Sequence, residues 1–158
     1  MGSKMRRAEK AIPQEECVEV LEKSDYLELA TISPDDTPYV VPMTYAYVDG
    51  VIYIHCAKTG HRMENLAYKN TVCFNVVDPE SIVIMPEEFN TQYRSVTGFG
   101  KVTKVEDVEE KKKGAMALSD KYSPQFHEEG LKYMNDTFNA MFILRIDIDT
   151  MTGKATRG

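Results

Sequence analysis

The chain has 158 residues, 42% of them apolar and 28% charged, with a formal net charge of −6. These values describe one domain able to bury a core, and they exclude an intrinsically disordered chain. The acidic balance argues against a nucleic-acid partner, since phosphate backbones are held mainly by clustered Lys and Arg. No apolar run reaches the roughly 18 residues that a membrane-spanning helix needs.

The N-terminus carries Lys4, Arg6 and Arg7 without the apolar stretch of a signal peptide, so a cytoplasmic location is expected. Gly2-Ser3-Lys4 ahead of a second methionine, Met5, reads as a cloning remnant, and residues 1–12 are expected to be disordered. Gln14 to Lys23 then reads as a short amphipathic helix, with Cys17, Val20 and Leu21 on one face and Pro13 at its entry. A strand follows from Tyr26 to Ile32, ended by the turn-rich Ser33-Pro34-Asp35-Asp36-Thr37-Pro38. Strands over Tyr39–Val48 and Val51–Cys56 flank Asp49-Gly50, a strong signal for a two-residue hairpin loop.

Beyond Ala57-Lys58-Thr59-Gly60, a helix is expected from His61 to Lys69 and a strand from Thr71 to Val77. Residues 78–93 are less regular, because Pro79 and Pro86 limit strand formation. A long strand is expected over Arg94–Val105, with helices over Val108–Lys121 and Glu128–Phe138. In the first of these helices, Lys111-Lys112-Lys113 after Glu109-Glu110 reads as a solvated face. The last strand is expected over Met141–Ile148, with Phe142, Leu144, Ile146 and Ile148 on one side. No repeat or linker divides the chain, so residues 1–158 read as a single domain. Six or so strands with mostly antiparallel connections favour a mainly β fold, a small barrel with a few flanking helices. Cys17, Cys56 and Cys73 form no C-x-x-C motif and read as reduced, buried thiols.

The hairpin can be registered. A two-residue loop at Asp49-Gly50 would pair Val48 with Val51, Ala46 with Tyr53 and Thr44 with His55. Pro42, Thr44, Ala46, Tyr53 and His55 would then share a face, with Lys58, Gly60, His61 and Arg62 just beyond its open end. A helix beginning there offers free N–H groups and a positive dipole end to an anion, and Arg62 adds a planar fork suited to phosphate. On residues alone, Arg62 could equally be a solvated side chain and His55 a hydrogen-bonded structural residue. The spacing of His55 and His61 fits no common zinc set, so no metal is expected.

Taken in order, Leu29-Ala30-Thr31, Pro38-Tyr39-Val40-Val41-Pro42-Met43 and Tyr53-Ile54-His55-Cys56-Ala57-x-x-Gly60-x-Arg62-x-x-x-Leu66 resemble the pyridoxamine 5′-phosphate oxidase-like superfamily. Within it the likeness is to the nitroimidazole-resistance (Nim) branch, whose next long strand is similar to Ser95-Val96-x-x-Phe99-Gly100-Lys101-Val102. The resemblance implies a six-stranded antiparallel Greek-key split barrel that forms a homodimer, with FMN (flavin mononucleotide) in clefts between subunits. It implies Val41, Pro42, Met43 and Thr44 along the flavin, His61 and Arg62 at its phosphate with Lys58 and Gly60 in the same loop, and His55 beside the cofactor as the candidate catalytic residue. The family usually has Lys or Arg where His61 stands, which implies a weaker or pH-dependent phosphate contact. The implied activity is FMN-dependent reduction of small electron-poor compounds such as nitroaromatics, with NAD(P)H as a possible donor. The C-terminal segment lacks the basic cluster that vitamin B6 phosphate chemistry would need. A non-catalytic flavin-binding module and a haem-binding or haem-degrading split barrel stand as alternatives on the same scaffold.

Overall fold

The computed structural model describes residues 4–157. In chain order the elements are β1 (Ala11–Ile12), α1 (Gln14–Lys23), β2 (Tyr26–Ile32), β3 (Pro38–Thr44), β4 (Ala46–Val48) and β5 (Val51–Cys56). After them come α2 (His61–Tyr68), β6 (Thr71–Val77), β7 (Val83–Met85), β8 (Asn90–Lys104), α3 (Val108–Tyr122), α4 (His127–Thr137) and β9 (Phe142–Thr156). The sheet runs β3-β2-β6-β8-β9-β5-β4, with β1 on β9 and β7 on β8, and every pairing is antiparallel.

The two ends of that sheet, β3 and β4, are halves of one chain segment bent at Tyr45. The sheet therefore curls round on itself into a split barrel. With β3 and β4 counted as one bent strand, six long strands make the barrel, as the sequence suggests. The hairpin register also agrees, pairing Val48 with Val51 and Ala46 with Tyr53. Asp49 and Gly50 have φ of 50° and 85°, the two positive values that a type I′ turn needs.

The strand Tyr39–Val48 is not continuous. Thr44 pairs with Tyr26 on β2 and not with His55. Three long-range hydrogen bonds hold the bend. The Tyr45 side chain is fully buried, and its hydroxyl donates to the Leu21 carbonyl at 2.6 Å, satisfying one of the last carbonyls of α1. The Tyr45 N–H donates to the Tyr122 hydroxyl at 2.9 Å, and that hydroxyl donates to the Asp25 carbonyl at 2.6 Å. Burial raises the Tyr45 phenol above its ordinary range, so it stays a donor.

Two cores result, one on each side of the curled sheet. The barrel interior holds Leu27, Leu29, Ile52, Ile54, Phe74, Val96, Leu144 and Ile146, closed at one end by Cys17, Val20 and Leu21 of α1. Outside it, Ala46, Tyr53 and Ile143 pack against Ala115, Leu118 and Met134 of the α3–α4 pair. Gly114 makes that approach possible, because a Cβ there would lie 2.9 Å from the Tyr53 ring.

Three further expectations need correction. Residues 8–12 are not disordered: a helical turn over Ala8–Lys10 leads into β1, which pairs with Lys154 and Gly153. The other early residues expected to be disordered include 1–3, which lie outside the described residues. The last strand runs eight residues past Ile148, because after a bulge at Asp149 the residues Thr150–Thr156 find partners on β8 and β1 despite their polar sequence. Lys111 is half-buried and not on a fully solvated face: its ammonium donates to the Phe138 carbonyl and lies over the Phe138 ring at 4.3 Å.

Candidate functional site

The α2 helix starts where β5 leaves the barrel. Gly60 takes φ 123°, a conformation that side chains rarely adopt, and its carbonyl accepts from Met63 and Glu64 at 2.9 and 3.1 Å. As N-cap it brings no capping side chain, so the His61 and Arg62 N–H groups at the start of α2 stay available to an anion. Asn65 and Leu66 bury the other side of the helix, and the Asn65 amide donates to Thr31 Oγ1 at 3.0 Å.

Arg62 turns from this helix start into the barrel mouth. Its NH1 lies 3.1 Å from the Met43 thioether, and its Nε is buried without a hydrogen-bond partner. No carboxylate forms an ion pair with it among the described residues. A buried, orphaned guanidinium donor is costly, and an anion would relieve it. Cys56 sits beside it: burial pushes the thiol up, and the Arg62 charge opposes that shift. His61 shares a 2.9 Å hydrogen bond with the Ser33 hydroxyl and meets the Tyr39 ring at 4.3 Å between centroids.

β3 is an edge strand of the barrel. Val41 and Met43 point inward to the core, while Val40, Pro42 and Thr44 point outward. Pro42 has no N–H, so in a regular ladder that side must face away from β2. By alternation the backbone groups of Val40 and Thr44 also face the open edge, free to hydrogen-bond a ligand.

On the outer face, Thr44 and His55 reach one cavity of about 430 Å³ between the sheet and the α3–α4 pair. Leu118, Tyr122, Met134 and Ile143 make much of its wall, and none of its lining residues is Asp, Glu, Lys or Arg. His55 is exposed there. Burial also raises the Tyr122 phenol, and at that end of α3 it lowers Lys121 to about 8 against a weaker opposing pull from Asp25.

The nine residues singled out in the sequence are therefore neighbours around the β3–β5 opening, but they do not share one face. Arg62 and Met43 meet in the barrel mouth, with His61 at its rim. Thr44 and His55 line the outer cavity. Lys58 lies over the Phe142 ring at 5.6 Å, and Phe142 pairs across the strands with Cys56, the neighbour of Arg62. Period-two alternation could have found this split, since Met43 and Thr44, like His55 and Cys56, must point to opposite sides. Sequence reasoning missed Ser33, Tyr39 and the α3–α4 wall, because their approach depends on tertiary folding. No group of three or more His, Cys, Asp or Glu that could hold a metal occurs among the described residues, and no helix is long and apolar enough to cross a membrane.

Among solved structures, the chain is similar to a candidate 5-nitroimidazole antibiotic resistance protein from Bacteroides thetaiotaomicron, with TM-score 0.78 and 23% identity over 92% of this chain and 86% of that one. It is similar to a FAD and haem binding protein from Mycobacterium smegmatis, with TM-score 0.81 and 21% identity over 94% and 74% of the two chains. A flavocytochrome from Azotobacter vinelandii gives TM-score 0.76 and 17% identity over 98% and 72%. At these identities the likeness establishes the split-barrel fold. No curated protein matches the sequence at a significant level. The model of the pyridoxamine 5′-phosphate oxidase family matches residues 13–155, nearly the whole chain, and the protein belongs to that family.

Proposed function

We propose that the protein is an FMN-dependent oxidoreductase, active as a homodimer, that reduces small electron-poor compounds such as nitroaromatics. The observation that carries the reading is the Arg62 guanidinium, held in the barrel mouth with its Nε buried and lacking an acceptor. A phosphate monoester supplies that acceptor and accepts further hydrogen bonds from the start of α2. Membership of the oxidase family and the likeness to a flavocytochrome and to a FAD and haem binding protein support flavin as the molecule bearing the phosphate.

Bound FMN supplies the redox chemistry in its ring system. The chain's residues bind and orient. Arg62, His61, Lys58 and the Gly60 loop hold the phosphate side. The open edge of β3 offers the Pro42 carbonyl and the Thr44 backbone groups to a ring edge, with Pro42 and Thr44 packing outward and Val41 and Met43 filling the inner side. His55 stands where it can give a proton to a reduced product or orient the ligand, within reach of the outer cavity. The edge strand β3 and its neighbour β2 leave Val40 59% and Tyr26 60% exposed, the kind of surface a second copy covers, consistent with a dimer.

Anaerobic mixing of the FMN-loaded protein with NADH or NADPH, followed by a nitroaromatic, tests the reading. Bleaching of the flavin by a donor and recovery of its colour on adding the nitroaromatic is expected. A flavin that neither donor bleaches would make the protein a binding module, and a Soret band without flavin absorption would replace FMN by haem.

A further inference from the structure

We propose that the cavity under the α3–α4 pair binds a small uncharged aromatic compound and selects against an anion of the same shape. The ring lies between sheet and helices, and an oxygen on it accepts a hydrogen bond on the side of Thr44 and His55. The site is separate from the phosphate site around Arg62 and does not rest on the flavin reading.

Two surfaces face each other across the space. Thr44, His55 and Ile143 come from β3, β5 and β9, while Ala115, Leu118, Ser119 and Tyr122 form one stripe of α3 at helical spacing. Gly130 and Met134 bring α4 against that stripe. A Cβ on Gly130 would lie 2.2 Å from Ser119 Oγ, so the two helices meet closely and make one wall. The Tyr122 ring is fixed as part of it, since its hydroxyl donates to the Asp25 carbonyl at 2.6 Å and accepts from the Tyr45 N–H at 2.9 Å. Leu118, Met134 and Ile143 are buried, and the small Ala115 leaves room that a larger side chain would fill. A space of about 430 Å³ with aliphatic, thioether and aromatic walls suits one ring or two fused rings.

The polar groups of the wall set the selectivity. No lining residue is Asp, Glu, Lys or Arg. A carboxylate entering the space would lose its hydration without meeting a fixed cation, whereas an uncharged ring loses little. The hydroxyls of Thr44 and Ser119 and the imidazole of His55 do reach the cavity. Among the described residues none of these three side chains has a hydrogen-bond partner. They are therefore free to meet a carbonyl, amide or nitro group, and such a group fixes the orientation of a ring that the apolar walls alone would leave unspecified.

The test is calorimetric titration of the full chain at pH 8 with 2-naphthamide and with its anionic counterpart 2-naphthoate, with and without saturating FMN. The amide is expected to bind about tenfold more tightly than the carboxylate, which must shed its hydration. Leu118→Trp should fill the cavity and abolish amide binding, and Ala115→Leu provides the same test if the first variant does not fold. Thr44→Val should weaken the amide about fivefold, the effect of one neutral hydrogen bond. Saturating FMN should leave amide binding unchanged. No binding of the amide, equal or tighter binding of the carboxylate, binding that survives both filling variants, an affinity indifferent to Thr44→Val, or displacement of the amide by FMN would each overturn the proposal. A chain that binds the amide as expected but not FMN would support the cavity site and count against the flavin reading alone.

Discussion

Tyr45→Phe isolates the hydrogen bond that ties the barrel's bend to α1. The ring keeps its place in the core, so packing is conserved and only the hydroxyl is lost. That hydroxyl is fully buried and donates at 2.6 Å to the Leu21 carbonyl, which the substitution leaves without its donor. An unsatisfied buried group of this kind costs about 1–3 kcal/mol. With an m-value of about 2 kcal/mol/M in urea, the unfolding midpoint should fall by about 0.5–1.5 M with no change in slope. Flavin affinity should be unchanged, since the Tyr122 hydroxyl still fixes the backbone at residue 45. Equilibrium urea unfolding followed by circular dichroism measures the shift. A midpoint within about 0.2 M of the parent would refute the claim that this bond stabilises the bend.

Gly98→Ala should destabilise the barrel by about 1–3 kcal/mol, because its Cβ would lie 2.1 Å from Cζ of the fully buried Phe74 ring; thermal unfolding checks this, and an unshifted midpoint contradicts it. Lys121 gives a pH signature. Its folded value of about 8 lies below the ordinary lysine value of 10.5, so the folded state releases this proton first and stability should rise as pH climbs from about 8 towards 10.5. Lys121→Met should flatten that rise, and urea midpoints at pH 7.5 and 10 compare the two proteins; an equal rise in both would exclude Lys121 as its source. Thr44→Val should alter ligand affinity in the outer cavity or the flavin spectrum, since Thr44 contributes to that cavity's wall; titration and absorption measure both, and no change in either would remove Thr44 from the site.

Local signals carried much of the fold. The limits of Tyr26–Ile32, Val51–Cys56 and Thr71–Val77 follow from β-forming runs bounded by turn residues, and Asp49-Gly50 gave the hairpin register. The bend at Tyr45 carries no such signal, having neither glycine nor proline. It is imposed by Leu21, Asp25 and Tyr122, up to 77 residues away. The second half of β9 is likewise a product of its neighbours, since Asp149–Thr156 lack apolar alternation. At the candidate site, the sequence supplied the loop, Arg62 and His55. It treated Thr44 and His55 as a ladder pair beside the anion loop; the bend instead pairs Thr44 with Tyr26, both residues face the α3–α4 cavity, and Arg62 of α2 points into the barrel mouth.

The most direct test of the central claim is FMN titration of the parent chain and Arg62→Ala, followed by flavin fluorescence. Loss of a charge-assisted phosphate contact worth about 1.5–3 kcal/mol predicts affinity weaker by about 10- to 150-fold in the variant. A parent that does not bind FMN, or a variant that binds it equally well, would contradict a flavin phosphate held by Arg62.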